Sequence, residues 1–135
     1  MKKLADAVKK AKRVYLIGNG GSYANAVHIC NDLISVGVKA FTLDPATLTA
    51  IANDFGYETV FSRWIYTVGE RGDLLIALSG SGTSPNILKA LGTAKSMGME
   101  THLVTRYLEG TDMQASEEEQ VKLGHSVMKD LRERV

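Results

Sequence analysis

The chain has 135 residues, 44% hydrophobic and 23% charged, which is typical of a globular protein large enough to bury a core. Basic and acidic side chains nearly cancel to a net charge of +1, so bulk charge predicts neither a nucleic-acid nor a membrane partner. No apolar run approaches the ~20 residues that span a bilayer. Cys30 is the only cysteine, which excludes an internal disulfide. We expect one domain over residues 1–135 in a reduced, cytoplasmic setting.

Short apolar runs alternate with stretches of helical spacing along the chain. In chain order, the predicted elements are a helix over 2–12, a strand over 14–17, a helix over 22–37, a strand over 38–43, helices from 45 to 52 and over 57–68, a strand over 74–78, a helix over 84–97, a strand over 102–104 and a helix from 116. Asp44-Pro45 is the expected helix cap. Apolar strands that alternate with helices predict an α/β fold, a three-layer sandwich with a central, mostly parallel sheet.

The helical spacing also predicts which side chains face the sheet. The inward positions predicted for two helices are Ala26, Ile29, Cys30, Leu33 and Ile34 in the first, and Ile87, Leu88, Leu91 and Ala94 in the second.

Two loops rich in glycine and serine follow predicted strands: GNGGSY over residues 18–23 and SGSGTSPN over residues 79–86. In parallel sheets ligands bind at the carboxyl ends of the strands. A tight glycine turn there exposes backbone N–H groups, and the start of the next helix adds a partial positive charge. The loops therefore predict an anion site, with phosphate as the usual occupant. The structural alternative is a pair of tight turns with serine helix caps.

A dinucleotide is one candidate occupant, but its fingerprint is incomplete in this chain. Gly18 and Gly20 begin a G-x-G-x-x-G pattern, and Asp44 lies where a ribose-binding acid belongs, but Tyr23 occupies the third glycine position. No Lys-Ser/Thr pair follows either glycine run, which excludes the Walker pattern. We therefore expect no nucleotide cofactor.

GNGGS followed by His28, together with IANDFGYE over residues 51–58 and LSGSGTSPN over residues 78–86, resembles the sugar isomerase (SIS) family of phosphosugar-binding domains. Within that family the chain is similar to the phosphoheptose isomerases. The similarity runs from Val14 to Val104 and resumes around His125. It implies a shortened, flavodoxin-like SIS domain that binds a phosphorylated sugar and self-associates as a homodimer or homotetramer. The implied reaction converts sedoheptulose 7-phosphate to D-glycero-D-manno-heptose 7-phosphate.

The resemblance also implies a set of site residues. The implied substrate-binding residues are Asn19, Gly20, Gly21, Ser22, Asn53, Asp54, Ser79, Gly80, Ser81, Ser84 and Glu117. Some family members bind zinc at positions that match His28, Asp32, Glu117 and His125, so one divalent ion is an implied cofactor.

The residue types suit this chemistry. His28 and Asp32 are four positions apart and share one face of a helix. A ketose–aldose interconversion needs a base beside the carbonyl and an acid for its oxygen, and we assign Asp32 as the base and His125 as the acid. Each of these residues also has a structural interpretation, and the helix dipole alone explains Glu117. Glu117 and His125 lie ~12 Å apart along a straight helix, so both reach one ion only if their side chains converge.

The chain departs from the family pattern at Asp32, where glutamate is usual, at Gly80, where threonine is usual, and at Glu117, where glutamine is usual. The segments before Val14 and after Val104 are also short. These departures leave a second hypothesis, a non-catalytic phosphosugar-binding regulatory or sensor module.

Overall fold

A computed structural model describes residues 2–105, 124–129 and 131 of the chain. The elements are α1 (Lys2–Lys10), β1 (Val14–Gly18), α2 (Gly21–Ser35), β2 (Ala40–Thr42), α3 (Pro45–Phe55), a 3-10 turn (Tyr57–Thr59), α4 (Val60–Val68), β3 (Leu74–Leu78), α5 (Pro85–Ser96) and β4 (Glu100–Val104). Residues 124–129 and 131 are helical and are called the C-terminal helical segment. The rest of the helix predicted from residue 116, including Glu117, lies outside the described residues.

The four strands form one parallel sheet in the order β2-β1-β3-β4. The predicted fold class is confirmed. The chain passes from β1 to β2 on one side and then to β3 on the other side, so the topological switch point lies between β1 and β3. The two loops rich in glycine and serine follow these two strands, which places them on either side of the crevice where flavodoxin-like folds bind ligands.

The sheet separates two hydrophobic cores because successive strand side chains point to opposite faces. Val14 and Leu16 of β1 pack with α1, α2 and the C-terminal helical segment. Tyr15 and Ile17 pack on the other face with α4 and α5. The same alternation in β3 completes the three layers.

Two of the predicted inward positions are wrong. Ile34 is 55% exposed and Leu88 is 47% exposed. Neighbours on a helix lie about 100° apart, so Ile34 turns away from the sheet once Leu33 faces it. In α5, the buried apolar positions follow the spacing of residues 87, 90, 91 and 94, and Ala90 occupies the place predicted for Leu88.

The β2 edge strand is shorter than predicted, three residues instead of six, although Leu43 after it is still buried. None of the described helices has the length and apolar character that a membrane crossing requires.

Candidate active site

The first loop makes a tight turn between β1 and α2. A Cβ on Gly18 would lie 2.7 Å from the backbone carbon and oxygen of Ser22, so only glycine fits there. Gly20 has a φ of 54°, a left-handed value that glycine adopts without strain. The N–H groups of Ser22 and Tyr23 donate to the Asn19 carbonyl at 2.9 and 3.3 Å. Helix α2 has no side-chain cap from the described residues, so apart from the two N–H groups bonded to Asn19 its positive end is open. Gly20 and Gly21 belong to this open end, whereas the predicted ligand-binding residue Ser22 is buried.

The second loop is shaped by its own hydroxyl groups. The Oγ of Ser79 accepts a hydrogen bond from the Gly82 N–H at 3.1 Å, and the Oγ of Ser81 accepts one from the Thr83 N–H at 3.2 Å. Gly80 accepts at its carbonyl from the Thr105 hydroxyl at 3.0 Å. Helix α5 begins after Ser84, which makes no side-chain capping bond to the described chain. The α5 N-terminus is therefore open like that of α2.

Helix α3 differs from these two helices. The Asp44 carboxylate accepts hydrogen bonds from the N–H groups of Ala46 and Thr47 at 3.0 and 3.2 Å, which confirms the predicted cap. Of the three helices that follow β1, β2 and β3, only α3 is closed by a side chain within the described part of the protein. The two open N-termini are those at the switch point, where an anion is best stabilised.

A pair of amides joins the two loops. Asn19 donates from Nδ2 to Oδ1 of Asn86 at 2.8 Å, and Asn86 donates from Nδ2 to Oδ1 of Asn19 at 2.9 Å. The Tyr57 hydroxyl donates to the same Asn19 oxygen at 2.6 Å. Sequence reasoning missed Asn86 and assigned no ligand role to Tyr57. One feature of the sequence could have identified Asn86: it is a polar residue directly before Ile87, where the apolar face of α5 starts.

Asn53 and Asp54 lie in the last turn of α3 and are exposed. Asn53 donates from Nδ2 to the Asp54 carboxylate at 3.1 Å. The contact of Tyr57 with Asn19 holds the connection after α3 against the first loop.

His28, Asp32 and His125 form a cluster on the outer side of α2. The Nε2 atoms of the two histidines are 3.1 Å apart, and the Asp32 Oδ2 lies 3.5 Å from His28 Nε2 and 4.0 Å from His125 Nε2. The C-terminal helical segment comes close enough for this because Gly124 has no side chain, and a Cβ there would lie 2.7 Å from Ile29. Both histidines are exposed. The structure thus brings together three of the four predicted metal ligands, and Glu117 lies outside the described residues.

The cluster fits a divalent ion. Its three candidate ligand atoms lie within 4.8 Å of one another. Ligands that hold zinc tetrahedrally at ~2.0–2.1 Å are separated by roughly 3.3 Å, close to the distances found here. Two imidazoles and a carboxylate are also a donor set that zinc accepts. These three side chains could therefore hold a metal ion.

The cluster and the loops are not in contact along α2. His28 lies seven residues and Asp32 eleven residues after Gly21, which corresponds to ~10 and ~16 Å along a straight helix. A cavity of about 630 Å³ also lies apart from both, between β2, α3 and α4, and its lining includes Phe41, Phe55 and Trp64 but none of the predicted site residues. The volume of that cavity is therefore no evidence that the substrate binds there.

Comparison with known proteins agrees with this architecture. Residues 1–105 match the family model described as the SIS domain. The chain belongs to the SIS domain family. It is 37% identical over 131 residues to the phosphoheptose isomerase of Sodalis glossinidius, covering 92% of this chain and 67% of that relative. It is 42% identical over 111 residues to the phosphoheptose isomerase of Vibrio cholerae, covering 77% of this chain and 58% of that relative. The chain thus spans about three fifths to two thirds of these SIS proteins.

Solved structures show the same SIS fold. The phosphoheptose isomerase structure from Neisseria gonorrhoeae superposes with a TM-score of 0.88 at 24% identity, covering 98% of this chain and 82% of that chain. The structure from Francisella tularensis superposes with a TM-score of 0.85 at 22% identity, covering 96% of this chain and 83% of that chain. The resemblance to the SIS family that the loop motifs predict is confirmed.

Proposed function

We propose that this chain is a ketose–aldose isomerase that converts sedoheptulose 7-phosphate to D-glycero-D-manno-heptose 7-phosphate. The observation that carries the proposal is the His28–Asp32–His125 cluster in a chain 37–44% identical to phosphoheptose isomerases. The cluster pairs a carboxylate with imidazoles, the groups that proton transfer at neutral pH requires.

The phosphate of the sugar is assigned to the two loops at the switch point. Two open helix N-termini, those of α2 and α5, supply N–H donors and partial positive charge there. Gly20 and Gly21 of the first loop and Ser79, Gly80, Ser81 and Ser84 of the second loop form this cradle. Asn53 and Asp54 then bind hydroxyl groups of the carbon chain.

Asp32 and His125 carry out the proton transfers. Asp32 removes a proton from carbon 1 of the ketose while His125 protonates the carbonyl oxygen on carbon 2, which gives an enediol. Asp32 returns the proton to carbon 2, and the carbon 1 oxygen gives its proton to His125, which leaves the aldose and restores both side chains. His28 orients the carboxylate of Asp32, since its Nε2 lies 3.5 Å from Oδ2.

One divalent ion, with zinc as the first candidate, fits the cluster, and Glu117 is proposed as a further ligand. When bound, the ion would supply a Lewis acid for the sugar's oxygen atoms in place of the proton of His125, because Nε2 of His125 would then be a ligand. The second carboxylate oxygen of Asp32 then remains for proton transfer. No nucleotide cofactor is part of the proposal. We also propose that the chain acts as one cytoplasmic SIS-type domain, in line with its single buried cysteine.

The site is proposed to be shared between copies in a homodimer or homotetramer. In one copy the loops and the cluster are ~10–16 Å apart along α2. Val27 and Ile34 flank the cluster on α2 and are 44% and 55% exposed, which gives that surface the apolar character of an interface. Loops from one copy then meet the cluster of another.

Co-expression of two inactive variants tests this sharing. Asp32→Ala removes the base, and Ser81→Asp places a negative charge in the phosphate loop. Mixed oligomers regain activity only if one site draws its loops and its cluster from different chains. Co-expressed variants that stay as inactive as each variant alone would show that the site lies within one chain.

Incubation of the purified chain with sedoheptulose 7-phosphate, with and without Zn²⁺, tests the activity itself. We expect aldose formation, and a loss of at least ~100-fold in both Asp32→Ala and His125→Ala. His102→Ala is the matched control, because His102 lies on β4 beside Glu100 and outside the cluster. Tight binding of phosphosugars without turnover would instead indicate the regulatory module.

A further inference from the structure

We propose that Asn86 and Tyr57 are positioning residues that clamp Asn19 and fix the separation of the two phosphate loops. The inference rests on the proposed function, because it assigns these residues a role in presenting the sugar to the site. Neither residue belongs to the predicted set, and neither is assigned contact with the substrate.

The hydrogen bonds around Asn19 leave its side chain little freedom. Its Oδ1 accepts from Asn86 Nδ2 at 2.9 Å and from the Tyr57 hydroxyl at 2.6 Å, which uses both lone pairs of that oxygen. Its Nδ2 donates one proton to Asn86 Oδ1 at 2.8 Å. One Nδ2 proton remains, so Asn19 offers a substrate one donor in a fixed orientation.

The clamp joins residues that are far apart in the sequence. Asn19 and Asn86 are 67 residues apart, and Tyr57 is 38 residues from Asn19. The loops they connect contain Gly20 and Gly82, both with positive φ, and glycine backbone is readily deformed. The clamp therefore restrains the two loops that these glycines make deformable.

Burial makes the Asn86 part of the clamp strong and its loss costly. Asn86 is 4% exposed, so its amide has little access to water if the partner is lost. Hydrogen bonds in such an environment reinforce one another, and a buried amide with unmet bonds destabilises its surroundings. Removing one member therefore loosens the loop that the clamp holds.

The expected kinetic consequence is a loss of kcat with little change in KM. The open end of α5 still holds the phosphate after the clamp is broken, so binding survives. The carbon chain is then poorly aligned, and a misplacement of ~1 Å costs up to about 100-fold in rate.

Tyr57→Phe is the principal variant, because it removes one hydroxyl from an exposed side chain. Tyr66→Phe is the matched control, since Tyr66 is 74% exposed and makes no hydrogen bond among those of the described residues. We expect about a tenfold lower kcat for Tyr57→Phe, an unchanged KM and unchanged kinetics for Tyr66→Phe. Asn86→Asp keeps the acceptor but loses the donor to Asn19, and should lower kcat further. A change in KM alone, or equal effects in the two tyrosine variants, would overturn the proposal.

Hydrogen exchange of the backbone amides of residues 19–22 tests the clamp without relying on turnover. We expect exchange at least about tenfold faster in Tyr57→Phe than in Tyr66→Phe, with unchanged exchange in β3. If the unsubstituted chain turns over no phosphosugar, the proposed function fails while this measurement still decides the clamp. Equal exchange in both variants refutes the clamp even in an active enzyme.

Discussion

At the first loop, two glycines are required for different reasons. Gly18 lies so close to the Ser22 backbone that a methyl group would collide with it at 2.7 Å. Gly20 has open space around its Cβ position, but its φ of 54° disfavours other residues. The tight approach at Gly18 brings the α2 N-terminus against the end of β1, where the phosphate is proposed to bind.

The collision at Gly18 predicts a loss of stability on substitution. Gly18→Ala should lower the free energy of unfolding by about 1–3 kcal/mol, because backbone atoms must shift to admit the methyl group. Gly92→Ala is the control, since Gly92 lies in α5 with no atom within 4 Å of its Cβ position. It should raise the free energy of unfolding by up to about 1 kcal/mol through helix propensity. Urea denaturation measures both, and a Gly18→Ala chain as stable as the parent contradicts the packing argument.

The histidine cluster predicts metal-dependent stability. Zn²⁺ at 100 times its dissociation constant should stabilise the fold by about 2.7 kcal/mol, because the ion binds only the assembled ligands. His28→Ala should remove most of this gain, whereas His102→Ala should keep it. Thermal denaturation across a zinc titration gives the comparison. Equal stabilisation of the two histidine variants would place the ion elsewhere.

At the scale of elements, the closed N-terminus of α3 contrasts with the open N-termini of α2 and α5. Asp44 satisfies two N–H groups of α3, while no side chain of the described residues caps α2 or α5. A cap stabilises its own helix, and an open end stabilises an anion. The capped start of α3 is thus structural, whereas the uncapped starts of α2 and α5 are the ones proposed to bind the anion.

Removal of the α3 cap should affect stability alone. Asp44→Ala should cost about 1 kcal/mol of unfolding free energy, and Asp44→Ser should restore most of it because serine is an equally good cap. Phosphosugar affinity should stay unchanged in both variants, as measured by isothermal calorimetry. A weaker affinity in Asp44→Ala would mean that α3 contributes to the anion site.

Local patterns in the sequence predict the elements well. The strands β1 and β3 are predicted from uninterrupted apolar runs, and the start of α3 from the Asp44-Pro45 cap. These patterns depend only on residues close in sequence, and the three predictions are confirmed. Ile34 and Leu88 are mispredicted because hydrophobicity alone cannot choose between adjacent helix positions. Asn86 is missed because its partner lies 67 residues away. The meeting of His125 with His28 across 97 positions depends on the close packing of Gly124 against Ile29, which no spacing rule predicts.

For the whole molecule, burial of weak acids sets a pH dependence. Burial raises the pKa of the Cys30 thiol above its ordinary value of 9.0. Burial, followed by the charge of Asp73, raises the pKa of Tyr15, and burial followed by Asp44 raises that of Tyr23. The folded state therefore keeps these protons to higher pH than the unfolded chain does.

The stability of the fold should consequently fall at alkaline pH. Above pH ~9 the unfolded chain releases protons that the folded chain still binds, so unfolding becomes more favourable as the pH rises. Urea denaturation between pH 7 and 10.5 should show a declining free energy of unfolding, with a shallower decline in Cys30→Ala. A free energy that increases over this range contradicts the burial of these groups.

The central claim is proton transfer by Asp32 on a phosphosugar, and isomerisation in D₂O tests it most directly. NMR of the aldose formed from sedoheptulose 7-phosphate should show deuterium at carbon 2, because a protein base exchanges its proton with solvent before returning it. His102→Ala should incorporate deuterium like the parent, and Asp32→Ala should incorporate at least ~100-fold less per unit time. Undiminished incorporation in Asp32→Ala, or product free of deuterium from the parent chain, would contradict the account.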